Sequence, residues 1–264
     1  FKLGDLVGLD TAYNVTKGLQ ANLPNDEMVK ELKDSKVLNF LIEHRFLGDK
    51  TKKGFYYKEK DASGNVNRFA LDLETLEYRP MQKAKFPVLE MAKQAADLKT
   101  RLGMLLLDKS KAGDLIRKHY ASLFAYISQR VPEISDVLFS IDDAIRAGYA
   151  WTYGPFENWD MIGIQKGIEL AESEGYTVAA WVKELVAAGH HSFYKSEGGK
   201  KYFYDLATKS YQVIPGTEQL VLLDALRETN KVWGNSDTTL VDLGDGILNL
   251  RSEEHTSELQ SRFG

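Results

Sequence analysis

Two aspartates, two adjacent histidines and three lysines are the residues of this chain whose types and spacing could do chemistry. Asp160 lies in "YGPFENWDMIG", residues 153–163, with Gly163 one helical turn later. Asp5 and Gly8 stand in the same relation in "FKLGDLVGL", residues 1–9. A carboxylate so placed could contact a ligand or partner, or it could accept hydrogen bonds from helix N–H groups, where the macrodipole favours an anion. The glycines would let another backbone approach closely, since an exposed helix interior prefers alanine. His190 and His191 are adjacent, so they point in different directions and lack the i, i+4 spacing that puts two metal ligands on one helix face. They read as loop residues, and His44 and His119 stand alone on predicted helices. Lys50, Lys52 and Lys53 in "GDKTKKGFYYK" could meet a phosphate-bearing ligand as point charges, or simply form a solvated loop.

Nothing else assembles a nucleophile, a base and an orienting group by spacing. "GDGILNL" has glycines two apart, but it joins two strands and opens no helix, so it is not a dinucleotide fingerprint. There is no P-loop, nucleophile elbow or zinc-protease helix. The residues themselves name no catalytic, cofactor-binding or metal-ligating position.

The elements that must carry these residues are mostly helical. Asn25 or Asp26 can cap a helix through "EMVKELK", and "SKVLNFLIEHRF" reads as a second, ending before Gly48. "GFYYKEKDASGNVNRFALDL" alternates around Ser63-Gly64-Asn65, a hairpin signal. From Val88 to Arg130 the pattern is helical, and Leu115, Tyr120, Leu123, Phe124 and Ile127 recur at three- and four-residue steps. Pro132 breaks it. "EISDVLFSIDDAIRAG" gives another helix with Gly148 as its C-terminal stop. Pro155 suits a first helical turn, and Thr177 is placed to cap "VAAWVKELVAAG". A second hairpin turns at Gly198-Gly199, a helix follows through "EQLVLLDALRET", and a third hairpin turns at Gly244-Asp245-Gly246.

The 264 residues suffice for one large or two modest domains with a real core. A hydrophobic fraction of 43% and a charged fraction of 27% are those of an ordinary globular protein. No apolar run approaches the roughly 20 residues that span a bilayer. A net charge of -4 without a basic stripe gives no electrostatic case for nucleic acid. The absence of cysteine removes disulfides, cysteine-zinc sites and thiol catalysis, and it fits a reducing compartment. Phe1 is not a start methionine and no signal peptide follows it, while the organised pattern stops at Leu250.

Internal repetition is the most informative pattern. "FKLGDLVGL" lines up with "FENWDMIGI", residues 156–164, at an offset of 156 − 1 = 155 residues. Phe, Asp and Gly coincide, and an aromatic hairpin follows in each copy, "GFYYK" in the first and "SFYKS" in the second. The expected organisation is two related helical halves, the first beginning inside its opening helix.

"YGPFENWDMIG", with "RVPEISDVLFSIDDAIRAGYAWT" upstream, resembles the signature of the C-terminal domain of 3-hydroxyacyl-CoA dehydrogenases, in its second repeat. "GDLVGLDTAYNV" and "GDKTKKGFYYK" resemble the first repeat, its Gly-Pro lost to truncation. The resemblance implies a mainly α fold of two helical repeats like the C-terminal domain of 6-phosphogluconate dehydrogenase, each followed by a short β-hairpin, with the N-terminal Rossmann domain absent. Residues 1–87 would be the first repeat and 88–229 the second. "WGNSDTTLVDLGDGILNL" resembles the opening hairpin of an enoyl-CoA hydratase (crotonase-fold) domain, giving 230–250 as the start of that domain. "RSEEHTSELQS" resembles translated sequencing adapter, so 251–264 would be an artefactual tail without selected structure.

The family's chemistry implies a cytoplasmic fatty-acid β-oxidation enzyme that oxidises L-3-hydroxyacyl-CoA with NAD, with a second copy of itself, in a homodimer, as a candidate partner. Its acyl-CoA substrate, Rossmann domain and hydratase domain would be the partners of this fragment, which would be inactive alone. Gln129-Arg130 stands where the second repeat would correspond to the family's Asn-Arg, so the asparagine's role does not carry over. A non-catalytic helical assembly module of the same fold is the alternative. Another β-hydroxyacid dehydrogenase with a related helical domain is a third.

Overall fold

The computed structural model describes residues 1–32, 35–227, 229–235 and 238–252, and for Glu31, Asp224 and Ala225 the backbone alone. The chain divides into two compact units, Phe1–Lys85 and Phe86–Gly264. The adapter-like stretch from residue 253 onward lies outside the described residues.

The first unit begins with two helices joined at a glycine, α1 (Lys2–Val7) and α2 (Leu9–Asn22). Gly8 makes the joint because its φ of 107° is open to glycine and costly for other residues. Asp26 caps α3 (Glu27–Glu31), accepting from the N–H groups of Met28 and Val29 as its sequence position predicts. Ser35 caps α4 (Lys36–Glu43). That helix stops at His44, well short of Gly48, because Arg45 takes positive φ. An antiparallel sheet follows, β1 (Tyr56–Lys60), β2 (Val66–Leu71) and β3 (Tyr78–Pro80), in sequence order. Asp61 holds the β1–β2 turn by accepting from Ser63 and Asn65 N–H. The core gathers on Leu9, Leu41 and Leu71.

The second unit opens with α5 (Pro87–Lys93), α6 (Leu98–Leu107) and α7 (Lys111–Glu133). Tyr120, Phe124 and Ile127 are buried along α7 as their spacing predicts, but Leu115 is 67% exposed. Pro132 bends the end of α7, where Val131 and Pro132 leave helical φ/ψ and their peptide bond is cis. Then come α8 (Leu138–Tyr149), α9 (Pro155–Ile162), α10 (Ile164–Ser173) and α11 (Ala180–Ala187). Gly148 lies inside α8, and Ala150 in the left-handed region ends it instead. The expected Thr177 cap is absent: α11 starts at Ala180, and Ser128 Oγ of α7 accepts from Ala179 N–H.

A second antiparallel sheet, β4 (Tyr194–Glu197), β5 (Lys200–Asp205) and β6 (Ser210–Val213), turns first at Gly198-Gly199. The first two expected hairpins therefore each carry a third strand. α12 (Leu223–Arg227) is much shorter than the apolar run around it, with Leu220 and Val221 exposed before it. It packs on the last sheet, β7 (Lys231–Gly234), β8 (Thr238–Gly244) and β9 (Ile247–Ser252). Pairing carries β9 two residues past Leu250, since Arg251 and Ser252 face Thr239 and Thr238 and strand hydrogen bonds do not read side chains. The core is continuous from Leu102 on α6 to Tyr204 on β5, centred on Phe124, Phe156, Trp159 and Phe193, all fully buried.

Candidate functional site

Asp160 sits in the last turn of α9, and its carboxylate reaches the start of β4. Oδ1 accepts from Phe193 N–H at 2.7 Å and Oδ2 from Tyr194 N–H at 2.9 Å. Asp5 on α1 does the same to β1, accepting from Phe55 N–H at 2.8 Å and Tyr56 N–H at 2.9 Å. Each aspartate thus clamps the first strand of its own sheet. Neither bonds the N–H groups of its own helix, so the capping expected from sequence is corrected. The partners lie 50 residues away for Asp5 and 33 for Asp160, beyond the reach of local spacing rules. A tyrosine on the third strand completes the arrangement. Tyr211 donates to Ser192 O at 2.5 Å, and Tyr78 donates to Gly54 O.

Glycines seat the first clamp. A Cβ on Gly54 would lie 2.1 Å from Asp5 Oδ1, and one on Gly48 would lie 2.2 Å from Asp5 O. The glycines beside the aspartates act differently from expectation. A Cβ on Gly163 would meet only Lys166 Cδ, at 4.0 Å, so its φ of 98° is the requirement; one on Gly8, at a φ of 107°, would also come 3.0 Å from Asp10 and 3.2 Å from Lys50, side chains and not another backbone.

The rest of "GPFENWD" is built into a buried polar cluster. Asp142 on α8 is fully buried, and accepts from Phe156 N–H at 2.8 Å, Glu157 N–H at 3.1 Å and the Tyr194 hydroxyl at 2.8 Å. A Cβ on Gly154 would fall 2.3 Å from the Asp142 side chain, so only glycine fits under it. Glu157 closes a box with Gly154 N–H at 2.8 Å and pairs with Arg146 at 2.6 Å and with Lys201. Trp159 stacks on Phe124 with centroids 4.5 Å apart and donates to Ile164 O at 3.1 Å. A Cβ on Gly167 would come 1.9 Å from its ring nitrogen. Asn158 alone is incompletely matched: its buried Oδ1 has no hydrogen-bond partner among the described residues.

Burial pushes the Asp142 carboxyl up to about 7 against its backbone and Tyr194 donors, with the Glu157 charge adding to the rise. Burial likewise pushes Asp160 up to about 7, opposed by its two N–H donors. For Glu157, burial works upward, but Lys201, the Gly154 N–H and Arg146 outweigh it and hold the carboxyl below its ordinary value. Burial and then Asp142 raise the Tyr194 hydroxyl, which stays a donor. These groups are occupied with one another and with backbone. They hold structure and leave no base facing an open site.

The lysine loop is also engaged. Lys53 lies 4.1, 4.9 and 4.5 Å from the ring centroids of Phe46, Tyr57 and Tyr78, and Lys50 pairs with Asp10. His190 packs against Tyr204 and Tyr211 at 5.2 and 5.3 Å. Gln129 reaches Thr177 O at 3.4 Å, and the buried Arg130 pairs with Glu133 at 2.9 Å beside the Tyr126 ring. Among the described residues no three His, Cys, Asp or Glu could together hold a metal ion.

Two of the cavities are lined by described residues. One of about 320 Å³ in the second unit is lined by the apolar Leu106, Met161, Ile162 and Leu170 and by the cationic Lys99, Arg117 and Lys166. The other, of about 230 Å³ in the first unit, is lined by Lys2, Asp5, Tyr56, Lys58 and Arg68 among others. Neither contains a candidate nucleophile beside a base. Among the described residues no helix is long and apolar enough to cross a membrane.

Helical units whose motif carboxylates clamp small sheets define a structural domain. Residues 1–58 match the family described as "3-hydroxyacyl-CoA dehydrogenase, C-terminal domain". Across 252 residues, 95% of the chain, the sequence is 34% identical to a Bacillus subtilis protein named as a 3-hydroxyacyl-CoA dehydrogenase, of which it covers 31%. It is 28% identical over 249 residues, 94% of the chain, to a Rickettsia prowazekii protein named as a fatty acid oxidation complex trifunctional enzyme, covering 30% of it. A Rickettsia felis protein named in the same way is 30% identical over 158 residues, 60% of the chain and 20% of that protein. The chain carries a 3-hydroxyacyl-CoA dehydrogenase C-terminal domain. It spans a third or less of the length of these curated relatives.

Proposed function

We propose that the whole protein oxidises L-3-hydroxyacyl-CoA to 3-ketoacyl-CoA with NAD, and that this chain supplies its helical substrate-cleft and packing domain. The observation that carries the reading is the alignment along 95% of the chain with a relative named for that dehydrogenase. The two units are read as copies of one repeat, supported by the matching Asp5 and Asp160 clamps. The last sheet is read as the opening of a hydratase domain, supported by the relatives named as trifunctional enzymes.

The residues of this chain do not fit NAD. Among the described residues the three sheets are antiparallel, whereas the dinucleotide site needs a parallel strand leading through a glycine-rich turn into a helix. The motif carboxylates are saturated by backbone N–H groups. Hydride transfer and its general base therefore belong to sequence outside these residues.

The test is NADH formation from L-3-hydroxybutyryl-CoA, followed at 340 nm. We expect none from the purified chain and a signal from the full-length protein. NADH from the chain alone would overturn the inactive-domain reading. No NADH from a folded full-length protein on short- and long-chain substrates would favour the non-catalytic assembly module.

A further inference from the structure

The cavity of about 320 Å³ in the second unit takes no part in the clamps or the buried polar cluster. Its walls come from α6, α7, α9 and α10. Leu106, Met161, Ile162 and Leu170 belong to the apolar layer packed against the core, yet each stays only half-buried. Leu107, also on the wall, is 82% exposed. Gly103 lines the same space from within α6. A Cβ there would meet nothing within 4 Å and its φ is not positive, so neither close packing nor backbone conformation calls for glycine. Glycine is weaker than alanine inside a helix. Gly18 and Gly148 have the same open surroundings, but neither lines one of the two cavities. At Gly103 the missing side chain leaves room in an apolar hollow that a ligand could use.

The charges on the wall are of one sign. Lys99, Arg117 and Lys166 line the cavity, and among the described residues no acidic side chain does. Lys99 and Lys166 make no ion pair or hydrogen bond among the described residues. Arg117 is fixed in place, donating to Leu106 O at 3.0 Å and to Asp108 O. The nearby carboxylates are engaged elsewhere. Asp97 caps α6 on Thr100, with Lys99 adding a weaker attraction, and Asp108 accepts from Ser110. Asp114 pairs with Lys118 at 3.0 Å and stands 4.0 Å from Arg117. Apolar wall and unanswered positive charge together specify an amphiphilic anion. The volume is about twice the ~150 Å³ of an apolar cavity that takes up benzene, which is room for about a dozen non-hydrogen atoms. We propose that this cavity binds a single-chain amphiphile, a hydrocarbon tail of about eight to ten carbons ended by one carboxylate or phosphate. The tail lies against Leu106, Met161, Ile162 and Leu170 in the space beside Gly103. The head group meets the lysines, whose flexible stems let a point charge follow either kind of anion.

Calorimetric titration of the full chain with decanoate and, separately, with decyl phosphate tests this, both kept below the concentration at which they aggregate. One saturable site is expected for at least one of them, and which one binds identifies the head group. Removing two methylenes from the tail should weaken binding about fifteen-fold, at about fourfold per methylene. Decanol, which has the tail without the charge, should bind at least tenfold more weakly than the anion. The methyl resonances of Met161 and Ile162 should shift with saturation, and that of Met28 in the first unit should not. Lys99→Gln combined with Lys166→Gln should remove most of the preference for the anion over decanol. Gly103→Met, which puts a side chain into the space, should abolish binding of anion and decanol alike while the melting temperature holds or rises. The lysine variant, which changes only exposed side chains, gives the answer if Gly103→Met does not fold. No saturable binding of either anion at millimolar concentration would overturn the proposal. So would binding that survives Gly103→Met, or an affinity for decanol equal to that for the anions. The titration uses neither NAD nor a thioester, so its failure and a failure of the proposed dehydrogenase reaction are separate results.

Discussion

Asp160 shows how one side chain can be read as chemistry and turn out to be architecture. Its carboxylate spends both oxygens on two backbone N–H groups, and burial raises its pKa as it raises that of Asp142. Both groups bind protons more tightly folded than unfolded, since the folded value of about 7 exceeds the ordinary carboxylate range. Stability from this source is therefore full below about pH 4 and declines as pH rises through 7. Melting of the second unit, followed by tryptophan fluorescence, should fall by several degrees between pH 5 and pH 8, at about 2–4 °C per kcal/mol. Glu157 works in the opposite sense, but in acid, below that window. Asp142→Asn should flatten the slope while lowering stability at every pH. A slope unchanged in that variant would show that the buried carboxyls do not titrate there. The sequence made Asp5 and Asp160 visible as a pair because their neighbours repeat. It could not show their partners, because a carboxylate's acceptor role is satisfied across 33 or 50 residues by backbone that any residue provides.

Elements were legible where a local rule fixed them. The three hairpin turns sit where Gly64, Gly198-Gly199 and Gly244-Asp245-Gly246 place them, and Asp26 caps its helix as its position predicts. β3 and β6 were not legible, because three- and four-residue runs have too little alternation and are held by Tyr78 and Tyr211 reaching back across the sheet. Gly148 and Thr177 misled for a related reason. The left-handed backbone of Ala150 ends α8, and the bond from Ala179 N–H to Ser128 Oγ stands at the start of α11, in place of the local signals. The same distinction separates two glycines of one motif. Gly163→Ala makes only an ordinary contact with Lys166 but must adopt a φ of 98°, costing about 1–2 kcal/mol. Gly154→Ala has an ordinary φ but drives a methyl into Asp142 and should cost more, about 3 kcal/mol or above. Chemical denaturation of both variants checks the order, and equal costs would refute the division between conformational and steric glycines.

For the molecule as a whole, each unit has its own core, one around Leu9, Leu41 and Leu71 and the other around Phe124, Phe156 and Trp159. The two units meet between Lys85 and Phe86, just after the exposed run "MQKAK" that separates their apolar patterns. Brief trypsin treatment should cut first at Lys83 or Lys85 and release fragments of about one third and two thirds of the chain, because cleavage favours exposed backbone with few hydrogen bonds. Early cutting inside α7 or the β4–β6 sheet instead would contradict the division into two units. The aspartate clamp carries a last consequence at this scale. It fixes where a helix end meets a strand start and leaves the chain between them free. The first unit closes a loop of 50 residues with it and the second a loop of 33. Loop closure grows only with the logarithm of length, so the difference costs about 0.4 kcal/mol. Insertions between clamp and strand are thermodynamically cheap, and a lineage can lengthen or trim this stretch while the two ends stay tied by the same pair of bonds.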